Sequence, residues 1–171
     1  DFAVATSLTQ YLADGETVTA VYTITVTDDS GTGTDFADDY VSTYSSRGPT
    51  LYDHFVKPDL VAPGNRFIAA FSDDSGLGAL LPDQVIACGP TYCDGAYFEL
   101  SGTSMAAGMV SGAVALMLTD DPTLTPDAVK CRLMASARPA VTADGRPAYS
   151  ILQQGTGLVN AYDAVYGSAV D

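Results

Sequence analysis

The segment Ser101–Gly108, SGTSMAAG, places a hydroxyl among small residues just where an apolar run begins. The pattern predicts a helix over Thr103–Leu118, so Thr103 and Ser104 lie where unpaired backbone N–H groups and the positive end of the helix dipole converge. An oxyanion formed beside the Ser104 oxygen would be stabilised there, which is what acyl transfer requires. The plainer reading of the same residues is that Ser101, Thr103 and Ser104 cap a helix. A serine nucleophile also needs a base, and the chain has one histidine, His54, in TLYDHFVKPDL. Asp53 or Asp59 could orient it, which would make an esterase-like His54–Ser104 site. The bland alternative leaves His54 on an exposed turn.

The elements that must position Ser104 follow from the hydrophobic pattern. Thr17–Thr27, TVTAVYTITVT, alternates as a strand and leads into the polar loop Asp28–Asp39, which carries five aspartates. That cluster could hold calcium, although its spacing does not match the EF-hand loop and a solvated acidic loop is the simpler reading. Tyr40–Thr50 reads as a short strand ending in a Gly-Pro turn. Leu60-Val61-Ala62 reads as a buried strand stopped by Pro63-Gly64, and Asn65–Phe71 as another short strand. Residues 72–96, rich in Gly, Pro and Asp, are expected to be irregular. The helix over Thr103–Leu118 is small and apolar all round, so it is expected to be buried on most sides. Gly108 and Gly112 weaken it by roughly 1 kcal/mol each relative to Ala, which close packing must offset. Thr125 can cap a second helix with Pro126 at its first position, ending about Ser136. A last helix starts near Asn160. Strands mixed with helices imply an α/β layer structure.

Composition narrows the function. The 171 residues suit a single domain, residues 1–171, and 47% hydrophobic against 16% charged is a globular balance. A net charge of −14, from 21 acidic and 7 basic residues, leaves no cationic face for phosphates, so nucleic acid is not an expected partner. An Asp-rich surface suits a secreted protein. Cys88 and Cys93 could close a small disulfide loop in ACGPTYCDG, while Cys131 reads as a buried helical thiol. A single histidine argues against a zinc site, and no run of eighteen apolar residues suggests a membrane span. The chain opens on Asp1 without an initiator Met, which is expected of a processed or trimmed start.

Four blocks in order, YSSRGP, KPDLVAPG, SGTSMAAG and GTGLVNAYDAV, resemble the C-terminal half of the subtilisin-like serine proteases. The resemblance runs from about Tyr22 to about Val165 and leaves residues 1–21 unplaced. It implies a partial three-layer α/β/α domain with a mostly parallel sheet. It also implies that Ser104 is the catalytic nucleophile and that its backbone N–H is one oxyanion donor. Thr103 and Leu100 would then border the oxyanion site and cleft, with Glu99 on the leaving-group side. Met105 matches the methionine that follows the nucleophile in many members. Gly108 replaces a proline usual in the family and is expected to loosen the first turn of the helix. Arg47 in SSRGP is expected to bond turn carbonyls.

The family's remaining machinery has no counterpart here. No HGT and no Asp-Thr-Gly occurs, and the asparagine oxyanion donor upstream of SSRGP is absent; Asn65 follows a glycine but lies in another block. The resemblance therefore implies an endopeptidase portion that acts on peptide or protein once an upstream half supplies the Asp and His. Alone, the chain is expected to be inactive. No cofactor is required, and calcium is the one ion the family suggests. The rival expectation is a non-catalytic fragment that pairs with a complementary N-terminal half or forms a homodimer, because exposed sheet edges and apolar faces call for cover.

Overall fold

The computed structural model describes residues 39–72, 75–87 and 96–167. The predicted strand Thr17–Thr27, the Cys88–Cys93 loop and all of the acidic stretch except Asp39 lie outside the described residues. The described residues belong to two compact units. One contains Ile68–Glu99, and the other contains residues up to Phe67 together with those from Leu100 onward.

The smaller unit is built on a three-stranded sheet. Strands β1 (Phe67–Phe71), β2 (Val85–Ala87) and β3 (Ala96–Leu100) lie in the order β1-β3-β2. β2 runs antiparallel to β3, with Val85 opposite Phe98 and Ile86 opposite Tyr97. Phe71 stacks on Phe98 at 5.0 Å between ring centroids, a spacing that adds to simple burial. Between β1 and β2 lie the one-turn helix α1 (Leu77–Leu80) and a 3-10 turn at Pro82–Gln84. The mostly parallel sheet expected from the resemblance is not what the described strands form. Residues 75–87 also hold more regular structure than the Gly, Pro and Asp content of the region suggested, because β2 pairs with β3.

The larger unit is helical at its centre. Helix α2 (Thr103–Asp120) is followed by α3 (Pro126–Ser136), the one-turn α4 (Ile151–Gln154) and α5 (Ala161–Tyr166). α5 packs against both α2 and α3. Ala113 and Met117 of α2, Val129 and Leu133 of α3, and Ala164 and Val165 of α5 form the core, with Val110, Val114 and Leu60 packed around them. On α2 the positions 110, 113, 114 and 117 make a single stripe at helical spacing. Met117 is 1% exposed, a burial that contributes about 2 kcal/mol. Thr125 caps α3 as expected, its side chain accepting from the Ala128 N–H at 3.1 Å. Asn160 caps α5 through the Asp163 N–H at 3.2 Å. Cys131 is half-buried on α3.

Two of the ordered blocks, KPDLVAPG and GTGLVNAYDAV, meet in this unit through main-chain bonds. The Val61 N–H donates to Gly157 O at 2.9 Å and the Val159 N–H to Val61 O at 2.8 Å, while Leu158 exchanges two bonds with Arg138. Val61 and Leu158 form an isolated parallel bridge, so Leu60-Val61-Ala62 is an extended segment with one pairing and no full strand. Tyr40–Thr50 likewise forms turns in place of the expected strand. The Gly48 N–H of SSRGP donates to Leu152 O at 3.0 Å. Gln154, buried at the end of α4, accepts from the Ala140 N–H at 2.8 Å and donates to Tyr149 O at 2.8 Å.

Helix α2 departs from expectation on its other face. Leu116 is 48% exposed and Leu118 40%, and nothing lies within 4 Å of the Cβ positions of Gly108 and Gly112. Close packing therefore does not explain these two glycines. The helix still runs unbroken through Gly108. Replacing both with alanine is expected to raise stability by about 1 kcal/mol per site, read as a higher urea midpoint. By length and composition alone α2 could cross a membrane, yet its buried stripe packs on α5 in the helical core.

Candidate active site

Ser104 sits on the first turn of α2, which begins at Thr103 with Gly102 as its N-cap. No side chain caps this helix and no acidic residue occupies its first turn. The capping role considered for Ser101, Thr103 and Ser104 is therefore not taken up. The Met105 and Ala106 N–H groups bond Gly102 O at 3.1 and 3.4 Å. The Thr103 and Ser104 amides make no hydrogen bond among the described residues, and neither does the Ser104 hydroxyl; both side chains are exposed. An anion beside Ser104 would thus meet free N–H groups and a dipole that no carboxylate offsets. Leu100, at the end of β3, is half-buried, and Met105 is half-buried behind the nucleophile turn.

The preceding turn is braced from Pro63-Gly64-Asn65-Arg66. The Gly102 N–H donates to Gly64 O at 2.7 Å, and the Arg66 N–H donates to Ser101 Oγ at 2.8 Å. The Tyr44 hydroxyl donates toward Asn65 Oδ1 at 3.3 Å. Gly64 lies so close that a Cβ there would stand 2.6 Å from Gly102 O and 3.0 Å from the Ala106 Cβ. Sequence reasoning missed this brace; the small residue ending KPDLVAPG was its one signal.

His54 takes no part in this arrangement. It is exposed at the apex of a tight loop, with φ +55°, a left-handed conformation that His tolerates better than most residues. The Thr50 N–H donates to Phe55 O at 3.0 Å, the Phe55 N–H donates to Thr50 Oγ1 at 2.8 Å, and the Thr50 hydroxyl holds Asp53. Asp59 is held by Lys57 and by Lys130, the latter at 3.1 Å. The hydrogen bond from Lys57 keeps the Asp59 carboxyl below the usual aspartate range against a smaller opposing effect of burial, and Lys130 adds to the lowering. Both carboxylates considered as orienters are thus engaged elsewhere, and no hydrogen bond joins His54 to Ser104. The Arg47 side chain is exposed and bonds no turn carbonyl among the described residues, contrary to expectation. Glu99 is half-buried on β3. No group of three His, Cys, Asp or Glu side chains that could hold a metal occurs among the described residues.

Known proteins resemble this chain over most of its length. The family model described as Peptidase S8, Subtilase family, matches residues 6–163. The chain is 36% identical over 147 residues to the serine protease AprX of Bacillus subtilis (strain 168), a match covering 86% of the chain and 30% of that protein. It is 34% identical over 134 residues to the subtilisin-like protease SBT3.9 of Arabidopsis thaliana, covering 73% of the chain and 16% of that protein. The chain belongs to the subtilase family, and its fold class is α/β. It spans less than a third of the length of these relatives.

Proposed function

We propose that the chain is the nucleophile-bearing part of a subtilisin-like serine endopeptidase. The observation that carries this reading is the exposed, unbonded Ser104 hydroxyl on the first turn of α2, beside two unbonded amides, in a member of this family. Ser104 Oγ bonds to the carbonyl carbon of a peptide, the carbonyl oxygen takes the negative charge facing the Ser104 N–H, and the serine proton passes to an imidazole. Breaking the C–N bond releases the amine with that proton, and water then cleaves the acyl-enzyme by the same route. Thr103 and Leu100 border the cleft. Because the 171 residues contain no second histidine, the imidazole, its carboxylate and the asparagine donor come from a complementary segment. The chain alone is inactive. The reaction needs no organic cofactor, calcium is the ion the family suggests, and the acidic surface suits work outside the cell.

Labelling with a fluorophosphonate tests this reading, with the chain alone and with a recombinant subtilase segment carrying the family's Asp, His and Asn. Labelling at Ser104 is expected only when the two are combined, and Ser104→Ala is expected to abolish it, because the oxygen that bonds to phosphorus is gone. Labelling of the chain alone that disappears in His54→Ala would replace this reading with the esterase-like site. The open face of α2, with Leu116 and Leu118 exposed, favours a second, non-catalytic reading as a self-associating unit. A homodimer that excludes the complementary segment would establish that one.

A further inference from the structure

We infer that Ser101 is a positioning residue for Ser104, its hydroxyl tying the nucleophile turn to the Gly64–Arg66 segment. Only the catalytic consequence of this inference rests on the protease reading above. Ser101 is exposed and does not cap α2, so neither burial nor helix capping accounts for its side chain. Its Oγ instead accepts from the Arg66 N–H at 2.8 Å, across thirty-five residues of sequence. The adjacent Gly102 N–H donates to Gly64 O at 2.7 Å. These two bonds, on consecutive residues, fix the chain two and three positions before the nucleophile. Arg66 itself takes a left-handed conformation, φ +50°, immediately before β1.

With the hydroxyl removed, one bond would remain and the turn could pivot about Gly102. Positioning of this kind matters for acyl transfer because a displacement near 1 Å costs on the order of 10²-fold in rate. The requirement is for an acceptor oxygen at this position, so threonine should serve where alanine fails.

Amide hydrogen exchange on the chain, as wild type, Ser101→Ala and Ser101→Thr, decides the matter without any activity. In Ser101→Ala, exchange at Arg66 and Gly102 is expected to rise about tenfold, the scale of one lost hydrogen bond. Val129 and Leu133 in the core should keep their protection, and Ser101→Thr should restore both turn amides. Unchanged exchange at Gly102 in Ser101→Ala, or failure of threonine to restore it, overturns the inference. In the complemented form, kcat for a peptide ester is expected to fall about tenfold in Ser101→Ala with KM unchanged. Wild-type kcat in that variant, despite faster turn exchange, also overturns the positioning role. Absence of turnover in every variant counts against the protease reading, and the exchange result still decides the tether.

Discussion

Gly155→Ala is expected to remove about 4 kcal/mol of folding stability, seen as a large fall in the urea midpoint. Gly155 ends α4 at φ +59°, where a β-carbon is itself unfavourable by roughly 1 kcal/mol or more. An alanine Cβ would stand 2.3 Å from Asp59 O and 2.4 Å from Pro58 O. Both obstacles are main chain, so no side chain can rotate away and one segment must move. That movement would strip Asp59 O of its bonds from the Thr156 N–H at 2.9 Å and the Thr156 hydroxyl at 3.1 Å. It would also disturb the adjoining pairing of Val61 with Gly157 and Val159. A loss below 1 kcal/mol would show that the two segments separate without cost and that this junction does not hold the unit together.

Gly64→Ala is expected to act on chemistry more than on stability. The added methyl would press on Gly102 O and on the first turn of α2 at Ala106. Gly102 O is the acceptor for the Met105 and Ala106 N–H groups, so its displacement carries Ser104 with it. In the complemented form, fluorophosphonate labelling is expected to slow about 10²-fold, the usual consequence of a nucleophile displaced by about 1 Å. The core of Met117, Leu133 and Ala164 contains none of these atoms, and the urea midpoint should fall by much less than in Gly155→Ala. Unaltered labelling would mean that the Gly64 side of the contact gives way.

The sequence carried different parts of this molecule unequally. α3 could be read from Thr125-Pro126 because capping is a local event, complete within four residues. α2, which has no side-chain cap, was legible from its apolar run instead, the start of α5 near Asn160 could also be read, and the four ordered blocks identified the family before any geometry. What escaped depended on partners distant in the chain. α4 is a single turn held by Gln154 reaching Ala140 and by Gly48 reaching Leu152. β2 exists because β3 pairs with it, and Leu60-Val61-Ala62 fell short of a strand because only Val61 is bridged. The small residues of α2 suggested a helix covered on all sides, but composition does not say whether the covering partner is present. At the site, Ser104 was legible as a candidate and the tether through Ser101 was not, because an exposed serine next to a glycine carries no sign of Arg66.

The position of α5 in the chain has a consequence for how the protein is made. The helix that bears Ser104 leaves the ribosome about forty residues before the helix that covers its Ala113–Met117 stripe. At roughly 5–20 residues per second, that gap lasts about 2 to 8 seconds. Throughout that interval the Ala113–Met117 stripe of the nascent chain has no cover from α5.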